Sequence, residues 1–142
     1  STNVTYFCSA AHEILLIATT EPTSLTDVYA LIKVLHTKHS QNNFRMVINS
    51  VGSEREAQLI FKNLMAVTDR FLPNVSVEYL GHIVSDLNVP KAVRQQKAFM
   101  ELYPKSKSSQ CINQLVQKMI NEKRPMLEEQ HSLFWRTAFT VQ

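Results

Sequence analysis

The sequence predicts an α/β fold, a parallel sheet with helices flanking its faces. Three observations lead there. Short apolar, β-branched runs occupy residues 13–20 (EILLIATT), 44–51 (FRMVINSV) and 75–84 (VSVEYLGHIV). Each run is followed by a stretch with apolar residues at helical spacing. The runs are continuous rather than alternating, as expected of strands covered on both faces. We expect residues 44–51 to form the middle one of three parallel strands. At 142 residues, 44% hydrophobic and 19% charged, the chain suffices for one domain with a sizeable core.

Taken in order, residues 2–12 read as a helix, with Val4, Phe7, Cys8 and Ala11 on one face. A chain that opens inside a helix reads as a domain cut from something longer. The first strand ends in Thr19 and Thr20, and Pro22 pushes Glu21 towards an extended turn. Ser24 and Asp27 resemble a capping box, and the helix to about His39 carries Leu25, Val28, Ile32 and Leu35 as its buried stripe. After the second strand, Ser53-Glu54-Arg55-Glu56 is a full capping box. The helix behind it uses Ala57, Ile60, Phe61, Leu64, Val67 and Phe71, and Pro73-Asn74 ends it. Pro90 opens a further helix, carrying Val93, Phe99, Met100 and Leu102, that stops before Pro104. Residues 106–121 form another amphipathic helix, which Pro125 closes. The remaining residues, 126–142, concentrate Leu133, Phe134, Trp135, Ala138 and Phe139 in a short span. We therefore divide the chain into residues 1–125 and a tail, 126–142.

Strand–helix alternation in this order builds βαβ units. Three strands leave an apolar edge, which natural proteins avoid exposing. More strands are expected beside it, from another segment or a partner chain. In an open parallel sheet, ligands bind beyond the carboxyl ends of the strands. Asn49, the turn at 19–24 and the turn at 84–86 fall at those ends. Asn49 offers a donor and an acceptor that can read an adenine edge, although a turn-capping asparagine has the same signature. Asp86 can contact a base or ribose, or cap the next helix.

Other chemistry is sparse. The two glycines, Gly52 and Gly81, build neither a GxxxxGK[ST] nor a GxGxxG loop. Cys8 and Cys111 form no metal or redox motif and fit a reducing, cytosolic compartment. His36 and His39 lack a third metal ligand nearby, and His12 and His82 have no visible carboxylate partner. No run approaches the roughly 20 apolar residues of a membrane span. The formal charge is +3, and residues 89–124 hold eight basic residues against only Glu101 and Glu122. Such a run is a solvated helical face or an attraction to anionic surfaces. No helix-turn-helix or aromatic RNA-binding signature accompanies it, so no nucleic-acid partner is expected. The Phe134-Trp135 cluster reads either as a core-docking helix or as an interfacial one meeting anionic lipid.

Four runs, EPTSLTDVYALIKVL, FRMVINSV, VTDRFL and YLGHIVSDLNVPKAVRQQKAFMELYPKS, resemble the C-terminal half of a MinD/ParA-class ATPase. Within that class they are most similar to the flagellar number regulators called FlhG or FleN. The resemblance extends from Phe7-Cys8 to about Ser108. It implies a doubly wound P-loop NTPase fold, with extra C-terminal helices, that dimerises around ATP and hydrolyses it slowly. It implies a cytoplasmic protein, peripherally associated with the inner membrane through a C-terminal amphipathic helix, here Leu133, Phe134, Trp135 and Phe139. It also implies a partner GTPase resembling FlhF. Asn49 matches the family's adenine-reading asparagine, and Val84, Ser85 and Asp86 match the loop that packs on the base. The family usually has proline where this chain has Val84. The phosphate loop and the magnesium-binding and water-positioning aspartates belong to the N-terminal half, so hydrolysis by this chain alone is not expected. Partners would be that missing half or a second copy. The alternative is a stand-alone, non-enzymatic interaction module descended from the same half.

Overall fold

The computed structural model describes Ala11 and residues 13–139, with side chains as far as Lys123. Its elements are β1 (Leu15–Ala18), α1 (Pro22–His39), β2 (Asn43–Val51), α2 (Glu54–Phe71), β3 (Ser76–Val84), α3 (Asn88–Arg94), α4 (Phe99–Leu102) and α5 (Lys107–Phe139). The strands form one parallel sheet in the order β1-β2-β3, so residues 44–51 do lie in the middle strand. The helix expected over residues 2–12, with Cys8 and His12, lies outside the described residues.

One face of the sheet carries the main core. Leu16 and Ala18 of β1 and Phe44, Met46 and Ile48 of β2 alternate onto it. Val28, Ile32 and Leu35 of α1 and Ala57 and Leu64 of α2 meet them from above. Each of the larger side chains, the alanines aside, contributes roughly 1.5–3 kcal/mol on burial, so this layer dominates stability. Phe61 of α2 stacks at a tilt on Tyr79 of β3, with ring centroids 5.2 Å apart.

The opposite face is covered in a different way. α5 descends over β3, with Leu115 against Gly81 and the Lys118 ammonium 3.1 Å from the Leu80 carbonyl. Arg45 alternates away from the main core and reaches Glu122 at 2.6 Å and Glu78 at 3.2 Å. Lys123 pairs with Glu13 at 2.8 Å, beyond the start of β1. Leu15 and Ile17 of β1 point to this face and stay 42% and 49% exposed. The continuous apolar run of β1 therefore does not mean that both its faces are covered here.

Several boundaries differ from expectation, each for a local reason. α1 starts at Pro22 rather than behind a Ser24–Asp27 box, because Pro22 supplies the first-turn geometry. Ser24 instead accepts the Thr19 N–H at 3.0 Å and closes the strand-to-helix turn. In α2, Val67 and Phe71 face solvent, and Thr68 is buried in their place, its hydroxyl donating to the Leu64 carbonyl at 3.0 Å. The helix expected from Pro90 to Leu102 is broken at Gln96, whose φ of 52° is left-handed. The N–H groups of Gln95 and Lys97 both bond the Ala92 carbonyl there, closing α3. Pro125 does not close the last helix: α5 runs through it to Phe139. Pro125 removes the backbone bond to the Asn121 carbonyl and its ring crowds that carbonyl, a local cost that does not end this helix of 33 residues. Leu133, Phe134, Trp135 and Phe139 belong to this helical run, and their side chains lie outside the described residues.

Candidate functional site

The carboxyl ends of β1, β2 and β3 form one edge, as a parallel sheet requires. At the β1 end, the Thr19 hydroxyl accepts the Glu21 N–H at 3.3 Å, which adds to the Ser24 bond and fixes the turn. An open groove of about 410 Å³ lies beside this turn, lined by Ile17, Thr19, Glu21, Thr23, Ser24 and Asp27, among others. Its two carboxylates make it a poor seat for an anion.

Asn49 is half-buried near the end of β2, with Ile83 as its partner in β3. The next residue, Ser50, has a φ of 59° and is bulged out of the ladder. The Asn49 carboxamide oxygen accepts the Ser50 N–H at 2.9 Å, which supports that left-handed turn. No acceptor among the described residues takes its Nδ2 group, so one end of the amide remains available. Val84 pairs with Val51, and the Ser85 N–H continues the ladder to the Val51 carbonyl at 2.8 Å. Asn49, Val84 and Ser85 are thereby brought to one stretch of the edge on adjacent strands, which lie about 4.8 Å apart.

Asp86 is placed differently. Its Oδ1 accepts the Asn88 N–H at 2.9 Å, and its Oδ2 accepts the N–H and hydroxyl of Ser108 at 3.1 and 3.0 Å. The carboxylate thus caps the first turn of α5 as well as the turn into α3, and it faces the positive end of the α5 dipole. The Asn88 N–H, then that of Ser108, hold its carboxyl down to about 2. Of the two roles open to Asp86 in the sequence, the described contacts are those of a cap.

Beneath this cap sits a serine cluster that sequence reasoning missed. Ser108 and Ser109 are fully buried, and the Ser109 hydroxyl donates to the Tyr103 carbonyl at 2.8 Å. Ser106 lies 3.1 Å from the Ser109 hydroxyl and completes the start of α5. The usable signal was the Ser106-Lys107-Ser108-Ser109 run before an amphipathic pattern, which is an N-cap composition.

Comparison with known proteins adds to this geometry. The chain is 44% identical to the antiactivator FleN of Pseudomonas aeruginosa over 117 residues, 82% of this chain and 41% of FleN. This likeness bears out the resemblance to the flagellar MinD/ParA-class regulators. A second match is the flagellum site-determining protein YlxH of Helicobacter pylori, 25% identical over 116 residues, 82% of this chain and 39% of YlxH. The chain spans about two fifths of the length of these curated relatives. No family model matches it. No helix among the described residues is long and apolar enough to cross a membrane.

Proposed function

We propose that this chain is the C-terminal portion of a FlhG/FleN-like ATPase that regulates flagellar number or placement. It contributes the adenine side of the ATP site and is not hydrolytic alone. The observation that carries the reading is the FleN likeness, which covers 82% of the chain. The strand-end edge supports it, with the free end of the Asn49 amide beside Val84 and Ser85. In this reading Asn49 hydrogen-bonds the adenine, Val84 and Ser85 pack on the base, and Asp86 holds their loop in place. Magnesium and the triphosphate are held by the remainder of the ATPase, and an FlhF-like GTPase is a partner of the whole. Leu133, Phe134, Trp135 and Phe139 form the apolar face of a tail that attaches the protein peripherally to an anionic inner-membrane surface.

Calorimetric titration with magnesium-ATP tests the adenine site. Asn49→Ala in the complete ATPase should weaken nucleotide binding about tenfold, the value of one good hydrogen bond, without unfolding it. Unchanged affinity would remove Asn49 from the site. Liposome co-sedimentation tests the tail: Trp135→Glu should abolish it while the fold persists.

A further inference from the structure

We propose that α2 is a self-association surface on which a second copy of this chain docks, antiparallel, about a two-fold axis at Asn63. The surface lies on the outer side of the helical layer; its Glu56 end meets the strand-end edge, where Glu56 accepts the Gly52 N–H, and the rest of the stripe runs away from that edge. α2 carries apolar area on its solvent side. Leu59, Val67 and Phe71 of α2 are 59%, 44% and 59% exposed.

Glu56, Leu59, Asn63, Val67 and Arg70 are spaced by three, four, four and three residues, and all are exposed. That spacing keeps them on one stripe, the pattern of a helix–helix seam. It is also palindromic about Asn63. An antiparallel copy therefore sets Leu59 in one layer with the partner's Val67, Glu56 opposite the partner's Arg70, and Asn63 opposite itself. A carboxamide carries both a donor and an acceptor, so Asn63 is complementary to its own copy. A single amide inside such a seam fixes register.

Charge points the same way. α2 has Glu54 and Glu56 in its first turn and Arg70 in its last. Antiparallel pairing joins acidic end to basic end twice and opposes the two helix dipoles. The Arg70 guanidinium sits 5.3 Å from the Phe71 ring centroid, at the end of the seam. Between α1 and α2 runs a groove of about 270 Å³, lined by Leu25, Thr26, Tyr29, Asn63, Leu64 and Val67. It flanks the seam and gives the partner helix a seat.

Sedimentation equilibrium of the full chain is the test, and a monomer–dimer equilibrium is expected. Arg70→Glu and Glu56→Arg each set like charges opposite one another at two places in the dimer, and each alone should weaken it roughly tenfold or more. Mixed in equal amounts, the two variants should associate again, because the mixed dimer has two opposite-charge pairs. Circular dichroism checks that Glu56→Arg stays folded, since Glu56 also accepts the Gly52 N–H at 2.7 Å. In a Cys8→Ser, Cys111→Ser background, Asn63→Cys should cross-link under mild oxidation and Gln58→Cys should not. A chain that stays monomeric would overturn the proposal and leave the seam to a helix of another protein. A dimer indifferent to both charge reversals, or equal cross-linking at both positions, would overturn it too.

Discussion

α5 packs tightly on the sheet at Gly81, and this contact yields a quantitative prediction. A Cβ added there would stand 2.6 Å from Leu115 Cδ2. Carbon atoms pack at about 3.5–4.0 Å, so Gly81→Ala forces Leu115 or the whole of α5 outward by about 1 Å. Overpacking of this kind costs about 1–3 kcal/mol. Leu115→Ala alone removes a half-buried isobutyl group and costs about 1–2 kcal/mol. The double substitution removes the obstacle along with the side chain. The positive φ of Gly81, 158°, strains an alanine whatever stands opposite it, so the pair should cost more than Leu115→Ala alone but less than the two costs summed, with a coupling of about 1–3 kcal/mol. Urea unfolding followed by circular dichroism reads this directly, with unchanged m-values showing that only stability moved. Additive costs, within about 0.5 kcal/mol, would show that Gly81 and Leu115 do not share this contact. α5 would then be held by its polar fastenings instead.

Two further predictions concern caps. Asp86 has its folded value depressed to about 2 from an ordinary 3.8, so its contribution is present above about pH 4 and is lost as pH falls towards 2. Acid unfolding of Asp86→Asn should accordingly show a flatter pH dependence across that window, and a curve of unchanged slope would mean that the capping bonds do not form in solution. Ser53→Ala removes the oxygen that accepts the Glu56 N–H at 3.2 Å, and should cost about 1 kcal/mol in thermal or urea unfolding. Ser53→Asp should restore most of that loss.

Local features were legible in the sequence where the signal is periodic. Val28, Ile32 and Leu35 follow helical spacing and are buried, and residues 44–51 combine β-branching with a central place in the chain. Spacing alone does not say on which side of a helix the sheet will lie. That is why Val67 and Phe71, which continue the apolar pattern of α2, turn out to face solvent. Contacts between distant positions leave no local mark. Asp86 reaches Ser108 across 22 positions, Lys118 reaches the Leu80 carbonyl across 38, and Arg45 reaches Glu122 across 77. At the candidate site, strand topology made the shared edge legible. The part that Asp86 takes depends on where α5 begins in space, which no short window contains.

The proline in α5 has a mechanical consequence. At 1.5 Å per residue this helix is about 50 Å long, and its last described tie to the sheet is the Lys123–Glu13 pair. Pro125 follows only two positions later, and its missing N–H leaves the rod one hydrogen bond poorer there. Bending compliance of the rod is therefore concentrated at this joint. A sideways load on residues 126–139 flexes the helix at that joint before it strains the Lys118, Glu122 and Lys123 fastenings.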